Sequence, residues 1–181
     1  MEEDCSNSFK SMVRTASTML SLGTALPHFD LPVVSASNFI GTEEFSQNRR
    51  FNSNSLLDQP LLLMVICAHC PFVKHVERGI TKLDQDYGDS VQILAISSNS
   101  LITHPQDGPV ELANQAKTHG WRFPYLLDQD QTLAKALKAA CTPDFFLFSC
   151  LKEGPHQLRY RGQLDASRPG NGLLVNGEDL R

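Results

Sequence analysis

At 181 residues, with 41% hydrophobic and 8% aromatic side chains, the chain suits one domain with a sizeable core and needs no second. A formal charge of -4, with no basic run longer than Asn48-Arg49-Arg50, argues against a nucleic-acid binder. Five cysteines (Cys5, Cys67, Cys70, Cys141 and Cys150) are too few and too irregularly spaced for a disulfide framework, and no signal peptide or membrane span is visible, so a reducing, cytoplasmic setting is expected.

Residues 1–16 are polar and unpatterned and read as a flexible arm, with Cys5 incidental, ahead of a domain over residues 17–181. The stretch from Ala25 to Val34 is held extended by Pro27 and Pro32 and suits an edge strand. From Ser35 to Pro60 the chain is rich in Ser, Asn and Gln and reads as loop, with one short turn of helix.

Leu61 to Ile66 is an unbroken apolar run, too short for an amphipathic helix and suited to a strand buried on both faces. It stops at Cys67-Ala68-His69-Cys70. From Phe72 onward the apolar residues Phe72, Val73, Val76, Ile80, Leu83 and Tyr87 recur at three and four, the period of one helix face. Pro71 suits the start of that helix, where its missing N–H has no intrahelical partner to lose. Both cysteines then lie at the helix N-terminus, where unpaired N–H groups and the helix dipole favour a thiolate.

Val91 to Ile96 is a second strand, parallel to the first through a right-handed crossover. Residues 105–109 read as loop, Val110 to His119 as a short helix stopped by Gly120, and Phe123 to Asp128 as extended. Gln131 to Ala140 reads as a helix capped by Asp128 or Asp130. After Thr142-Pro143, Asp144 to Ser149 is a strand that turns at Lys152-Glu153-Gly154-Pro155 into Leu158 to Gly162, a hairpin.

Two cysteines at this spacing admit other chemistry. A zinc knuckle would use Cys67, Cys70 and His75, but its last cysteine should fall at Ile80 and the segment reads as helix. Covalent haem attachment needs a histidine where Pro71 stands. Two inert core cysteines would leave their joint position at a strand-to-helix junction unexplained, so redox chemistry is the preferred reading and no metal or organic cofactor is expected.

The strings Cys67 to His75, Ile96-Ser97-Ser98-Asn99, Ala140 to Phe148 and Tyr160 to Asn171 resemble the thioredoxin superfamily. Within it they look like the redoxin branch of small peroxiredoxin-like proteins, related to alkyl hydroperoxide reductase and thiol-specific antioxidant. The resemblance spans about residues 17–181 and implies a thioredoxin-like α/β fold, a central mixed sheet flanked by helices. It makes Cys67 the attacking thiol and Cys70 the resolving thiol, and Thr142-Pro143 a cis-proline loop that offers its backbone to an extended substrate. Thioredoxin-like domains of this kind finish on a helix covering one sheet face. Here Glu178 to Arg181 is only its beginning, so that helix is missing and a sheet face is expected to be bare, met by self-association or by the N-terminal arm.

One departure stands out. Peroxiredoxins carry a proline and a threonine or serine ahead of the peroxide-attacking cysteine, and counted back from Cys67 those positions hold Pro60 and Met64. The expected function is therefore thiol–disulfide exchange with protein or small-molecule disulfides, recharged through a thiol reductant. The alternatives are a thiol peroxidase acting on peroxides and a non-enzymatic client- or metal-binding module. Arg168 is a candidate substrate-binding guanidinium and Cys141 a candidate third redox thiol. His69, between the cysteines, is expected to tune the pair: a protonated imidazole beside the Cys67 thiolate lowers its pKa and makes the pair more oxidising than a typical thioredoxin.

Overall fold

The computed structural model describes residues 19–35, 49–150 and 154–181. The expected arm 1–16, with Cys5, lies outside the described residues, as do 36–48 of the predicted loop and part of the hairpin turn. In chain order the elements are β1 (Asp30–Ser35), β2 (Arg50–Asn52), β3 (Leu61–Val65), α1 (Pro71–Tyr87), β4 (Gln92–Ser97), α2 (Pro109–His119), β5 (Tyr125–Leu127), α3 (Thr132–Ala136), β6 (Asp144–Ser149) and β7 (Gln157–Gly162). Short 3-10 turns occupy Ser53–Ser55 and Pro105–Asp107.

The strands form one seven-stranded mixed sheet in the order β2-β1-β5-β4-β3-β6-β7. β3 is central, parallel to β4 and antiparallel to β6, with Val65 opposite both Ile96 and Asp144. All five of its residues are buried, as the unbroken apolar run requires of a strand covered on both faces. This is a thioredoxin-like fold.

One face packs on α1 and α2, through Val73, Val76, Ile80, Leu83, Leu112 and Ala116. Phe72 and Tyr87, expected on the same stripe, lie at its margin, half-buried and exposed respectively. The other face carries Leu61, Leu63, Val65, Phe146 and Phe148, covered by Leu133 and Leu137 from the α3 region and by Leu26, Phe29 and Leu31.

Three sequence expectations need correction. Residues 25–34 are not one edge strand: Ala25 bridges to Gln157 beside β7, the chain then passes across the second face at Phe29, and Asp30–Ser35 enters the sheet between β2 and β5. β2, the true edge, lies in a stretch read as loop. α3 is five residues long and not ten, because Lys138 turns to φ 56° and the chain leaves the helix toward Thr142. Its start is capped as expected, Asp128 accepting from the N–H groups of Leu133 and Ala134 and Asp130 from that of Thr132.

No helix follows β7 among the described residues, in line with the sequence. Yet the face beside α1 is not left bare there. Residues 163–181 run irregularly over it, with Leu164, Val175 and Leu180 against the core. Buried Asp165 organises this segment by accepting from the N–H groups of Ser167 (2.9 Å), Asn176 (2.8 Å) and Gly177 (2.7 Å). The seat on α1 is Gly79: a Cβ there would stand 2.8 Å from Leu164 Cδ2 and Val175 Cγ1. Gly79→Leu should therefore unseat the segment and destabilise the domain by about 1–3 kcal/mol, read as a lower urea midpoint at unchanged m. An unaltered midpoint would mean that the segment does not rest on α1.

Candidate functional site

The site forms where β3 ends and α1 begins. Pro71 is the first helical residue, which makes Cys70 the N-cap. Cys67 lies two residues past β3 and shares its burial, with 0% of its surface exposed, whereas Cys70 is half-buried. The expectation that the N-terminal cysteine is the exposed one is thus not met. Neither these two cysteines nor Cys141 form a disulfide among the described residues.

The neighbouring thiol is the largest influence on each cysteine: it raises Cys67, which desolvation raises further, and lowers Cys70 below the ordinary thiol value. The Thr142 hydroxyl and the N–H groups of Phe72 and Val73 in the first turn of α1 also favour the Cys70 anion, as a helix N-terminus should.

The predicted loop across from the pair is present. Thr142-Pro143 is a cis peptide. Thr142 Oγ1 lies 3.4 Å from Cys67 Sγ, and the Thr142 carbonyl oxygen 3.4 Å from Cys70 Sγ, close enough to accept from the thiol when that is protonated. The loop is held from the far side by Arg161, whose guanidinium donates to Lys138 O (2.8 Å) and to Asp144 Oδ2 (2.9 Å) and lies 5.0 Å over the Phe146 ring.

The sequence reading missed Asp107. It follows β4 in the 3-10 turn, has no exposed surface, and turns its carboxylate into the cysteine loop. Oδ1 accepts from the N–H groups of Ala68 (2.9 Å) and His69 (3.0 Å); Oδ2 faces His69 Nδ1 (2.6 Å) and accepts from Asn99 Nδ2 (2.7 Å). Next to it, Gln115 Nε2 donates to the Cys67 carbonyl (3.3 Å) and to Glu77 Oε1 (2.8 Å), while the buried Tyr125 hydroxyl donates to Gln115 Oε1 (3.2 Å). The loop between strand and helix is therefore fixed from below at three successive residues.

His69 is brought to the site, but its ring faces Asp107 and Cys67, with Nδ1 3.7 Å from Cys67 Sγ. Any charge on it is paired with the carboxylate, and Asp107 itself raises the Cys67 thiol. The simple picture of a lone imidazolium beside a Cys67 thiolate does not describe this geometry. Cys67 Sγ, His69 Nδ1 and an Asp107 oxygen lie within 4.8 Å of one another and are the donors a metal ion would find here. The arrangement is complete in hydrogen bonds without one.

Other candidates fall elsewhere. Arg168 donates to the carbonyls of Asp165 and Ser167 and to the Gln163 side chain, so it serves its own loop. His75, the third member of the knuckle pattern, pairs with Ser167 Oγ at 2.7 Å. Cys141 does come to the site: it is exposed on the wall of a cleft of about 350 Å³ that also exposes His69, Cys70, Asn99, Lys135 and Thr142. Partial desolvation of its sulfur by the surrounding wall, and then the Asp144 carboxylate, raise its thiol pKa.

Comparison with known proteins agrees with this architecture. A family model described as AhpC/TSA matches residues 22–162. An uncharacterized conserved protein from Geobacillus kaustophilus is 39% identical at a TM-score of 0.79, over 93% of this chain and 82% of that one. A hypothetical protein from Sinorhizobium meliloti 1021 is 36% identical at a TM-score of 0.79, over 92% and 84%. Mycobacterium tuberculosis AhpC, 17% identical over 90% and 89%, shares the fold at a TM-score of 0.61. No curated protein matches the chain.

The split in acidity predicts the order of alkylation. A lowered pKa keeps Cys70 ionised as pH falls below the ordinary thiol range, whereas the raised Cys67 and Cys141 ionise only above it. At about pH 6, iodoacetamide should label Cys70 at least ~10-fold faster than Cys67 or Cys141, measured peptide by peptide. Preferential labelling of Cys67 would reverse the assignment.

Proposed function

The chain belongs to the AhpC/TSA family, and on that footing we propose that it is a thiol–disulfide oxidoreductase in which Cys70 attacks and Cys67 resolves. The observation that carries this reading is the placement of the pair: a half-exposed sulfur at the N-cap of α1 beside one with no exposed surface. The order is the reverse of that expected from the sequence, because a sulfur with no exposed surface cannot meet a substrate first.

In the first step the Cys70 thiolate bonds to one sulfur of a disulfide and the other sulfur leaves. In the second, Cys67 gives up its proton and attacks the Cys70 sulfur, releasing the remaining half of the substrate as a thiol. The pair ends as a disulfide, two electrons having passed to the substrate, and a thiol reductant restores it. The cleft beside Cys70 is at the small end of the range for ligand sites, and its polar lining suits a small polar disulfide or a short extended segment. The chemistry uses thiols alone.

Family membership also favours a thiol peroxidase, but the residues that hold a peroxide are not in place. Counted from Cys67, the proline position is Pro60, at the far end of β3, and the hydroxyl position is Met64, fully buried in the core. Counted from Cys70, the two positions hold Leu63 and Cys67. Disulfide is accordingly the preferred substrate.

Cys70→Ser should abolish exchange with oxidised glutathione, while Cys67→Ser should still attack it and accumulate a stable glutathione adduct on Cys70, visible by intact mass. Reduced wild-type protein should react with the disulfide faster than with hydrogen peroxide. Adduct accumulation in Cys70→Ser would restore the opposite order of attack, and a faster reaction with peroxide would favour the peroxidase.

A further inference from the structure

A disulfide that carries carboxylates is repelled by the thiolate that attacks it unless a cation offsets the charge. The chain as a whole also repels such a ligand, with 20 acidic against 16 basic residues. The cleft departs from that average. Among the described residues no Asp or Glu lines its walls, and Lys135 of α3 stands on them together with Cys70 and Thr142.

The acidic side chains of the neighbouring segments are engaged by the protein itself. Asp107 is held by Ala68, His69 and Asn99, Asp144 by Arg161, and Asp128 by the N–H groups of Leu133 and Ala134. Exposed Asp130 accepts from the Thr132 N–H and meets Lys135 through its backbone, the carbonyl accepting from Nζ at 3.3 Å. No carboxylate among the described residues pairs with the Lys135 ammonium, which therefore keeps its charge and further N–H donors for a ligand. Asn99 and Gln131 line the same cleft. Each uses one amide hydrogen, on Asp107 Oδ2 (2.7 Å) and Ser98 O (2.9 Å) respectively, and retains a second donor that a carboxylate can accept from.

We propose that the substrates of this cleft are small disulfides bearing carboxylates, and that Lys135 selects them by pairing with a carboxylate while the S–S bond lies at the cysteine pair. A cleft of about 350 Å³ holds a molecule of that size. The exchange is the one already described: the substrate S–S bond is reduced to two thiols, and Cys67 and Cys70 are oxidised to a disulfide. The inference rests on the exchange reading and is indifferent to which of the two cysteines attacks first.

The test varies substrate charge. Reduced protein is mixed with oxidised glutathione, bis(2-hydroxyethyl) disulfide and cystamine, which are anionic, neutral and cationic, and protein oxidation is followed by thiol trapping and mass. Each rate constant is divided by that of dithiothreitol with the same disulfide, which removes the intrinsic reactivity of the S–S bond. The wild-type protein should prefer glutathione to cystamine by at least ~10-fold at low salt, and this preference should shrink to about threefold or less near ~0.5 M potassium chloride. In Lys135→Glu the ratio of the glutathione rate to the neutral rate should fall by at least ~10-fold, in Lys135→Gln by about threefold, and Lys135→Arg should keep it. A merely structural role would lower all three rates alike and leave the ratio unmoved, which would overturn the proposal. Equal use of glutathione and cystamine by the wild-type protein would overturn it as well, with the exchange reading intact. A wild-type protein inert to all three disulfides would overturn the exchange reading, and this one with it.

Discussion

A carboxylate without exposed surface is costly unless its lone pairs find donors. Asp107 finds them in Ala68, His69 and Asn99, and the conformation of the cysteine loop follows. Removing the carboxylate would leave buried backbone N–H groups unpaired, each at a cost of about 1–3 kcal/mol. The loop between β3 and α1 is thus shaped by a residue of the 3-10 turn in the connection that follows the neighbouring parallel strand. β3 and β4 bring the two together, so the sheet register and the site geometry are one constraint.

The same economy governs the two sulfurs. They are three residues apart, yet one follows a strand and the other caps a helix, so they inherit opposite surroundings. The neighbouring Cys70 and then burial push the Cys67 thiol up, while Cys67 and the helix N-terminus push Cys70 down. Thr142 reaches both sulfurs from across the site and therefore senses the state of either.

Much of this was legible in the sequence. The unbroken apolar run of β3, the change of period after Phe72 and the helix-starting Pro71 placed both cysteines, and the strings around Thr142 placed the loop opposite them. Pro71 also implied that Cys70 is the cap of the helix, with Cys67 in the loop ahead of it. What stayed hidden depends on partners remote in sequence. Asp107, between Pro105 and Pro109, reads as part of a loop. Its actual donors lie 38 and 39 residues earlier. β2 has no apolar run and exists through its pairing with β1. The tail over α1 has no helical period, and buried Asp165 organises it through backbone contacts that leave no pattern.

The passage of residues 23–31 from β7 across the second face has a consequence for aggregation. A sheet edge with unpaired N–H and C=O groups invites another chain to add a strand. Here Gly23, Thr24 and Leu26 bond along β7, through Gly23 N to Leu158 O, Leu158 N to Thr24 O and Leu26 N to His156 O, and occupy that edge. The opposite edge, β2, is only three residues long, and its Arg50 is tied to Asp30 of β1. Among the described residues, neither end of the sheet offers a long free backbone template for another chain.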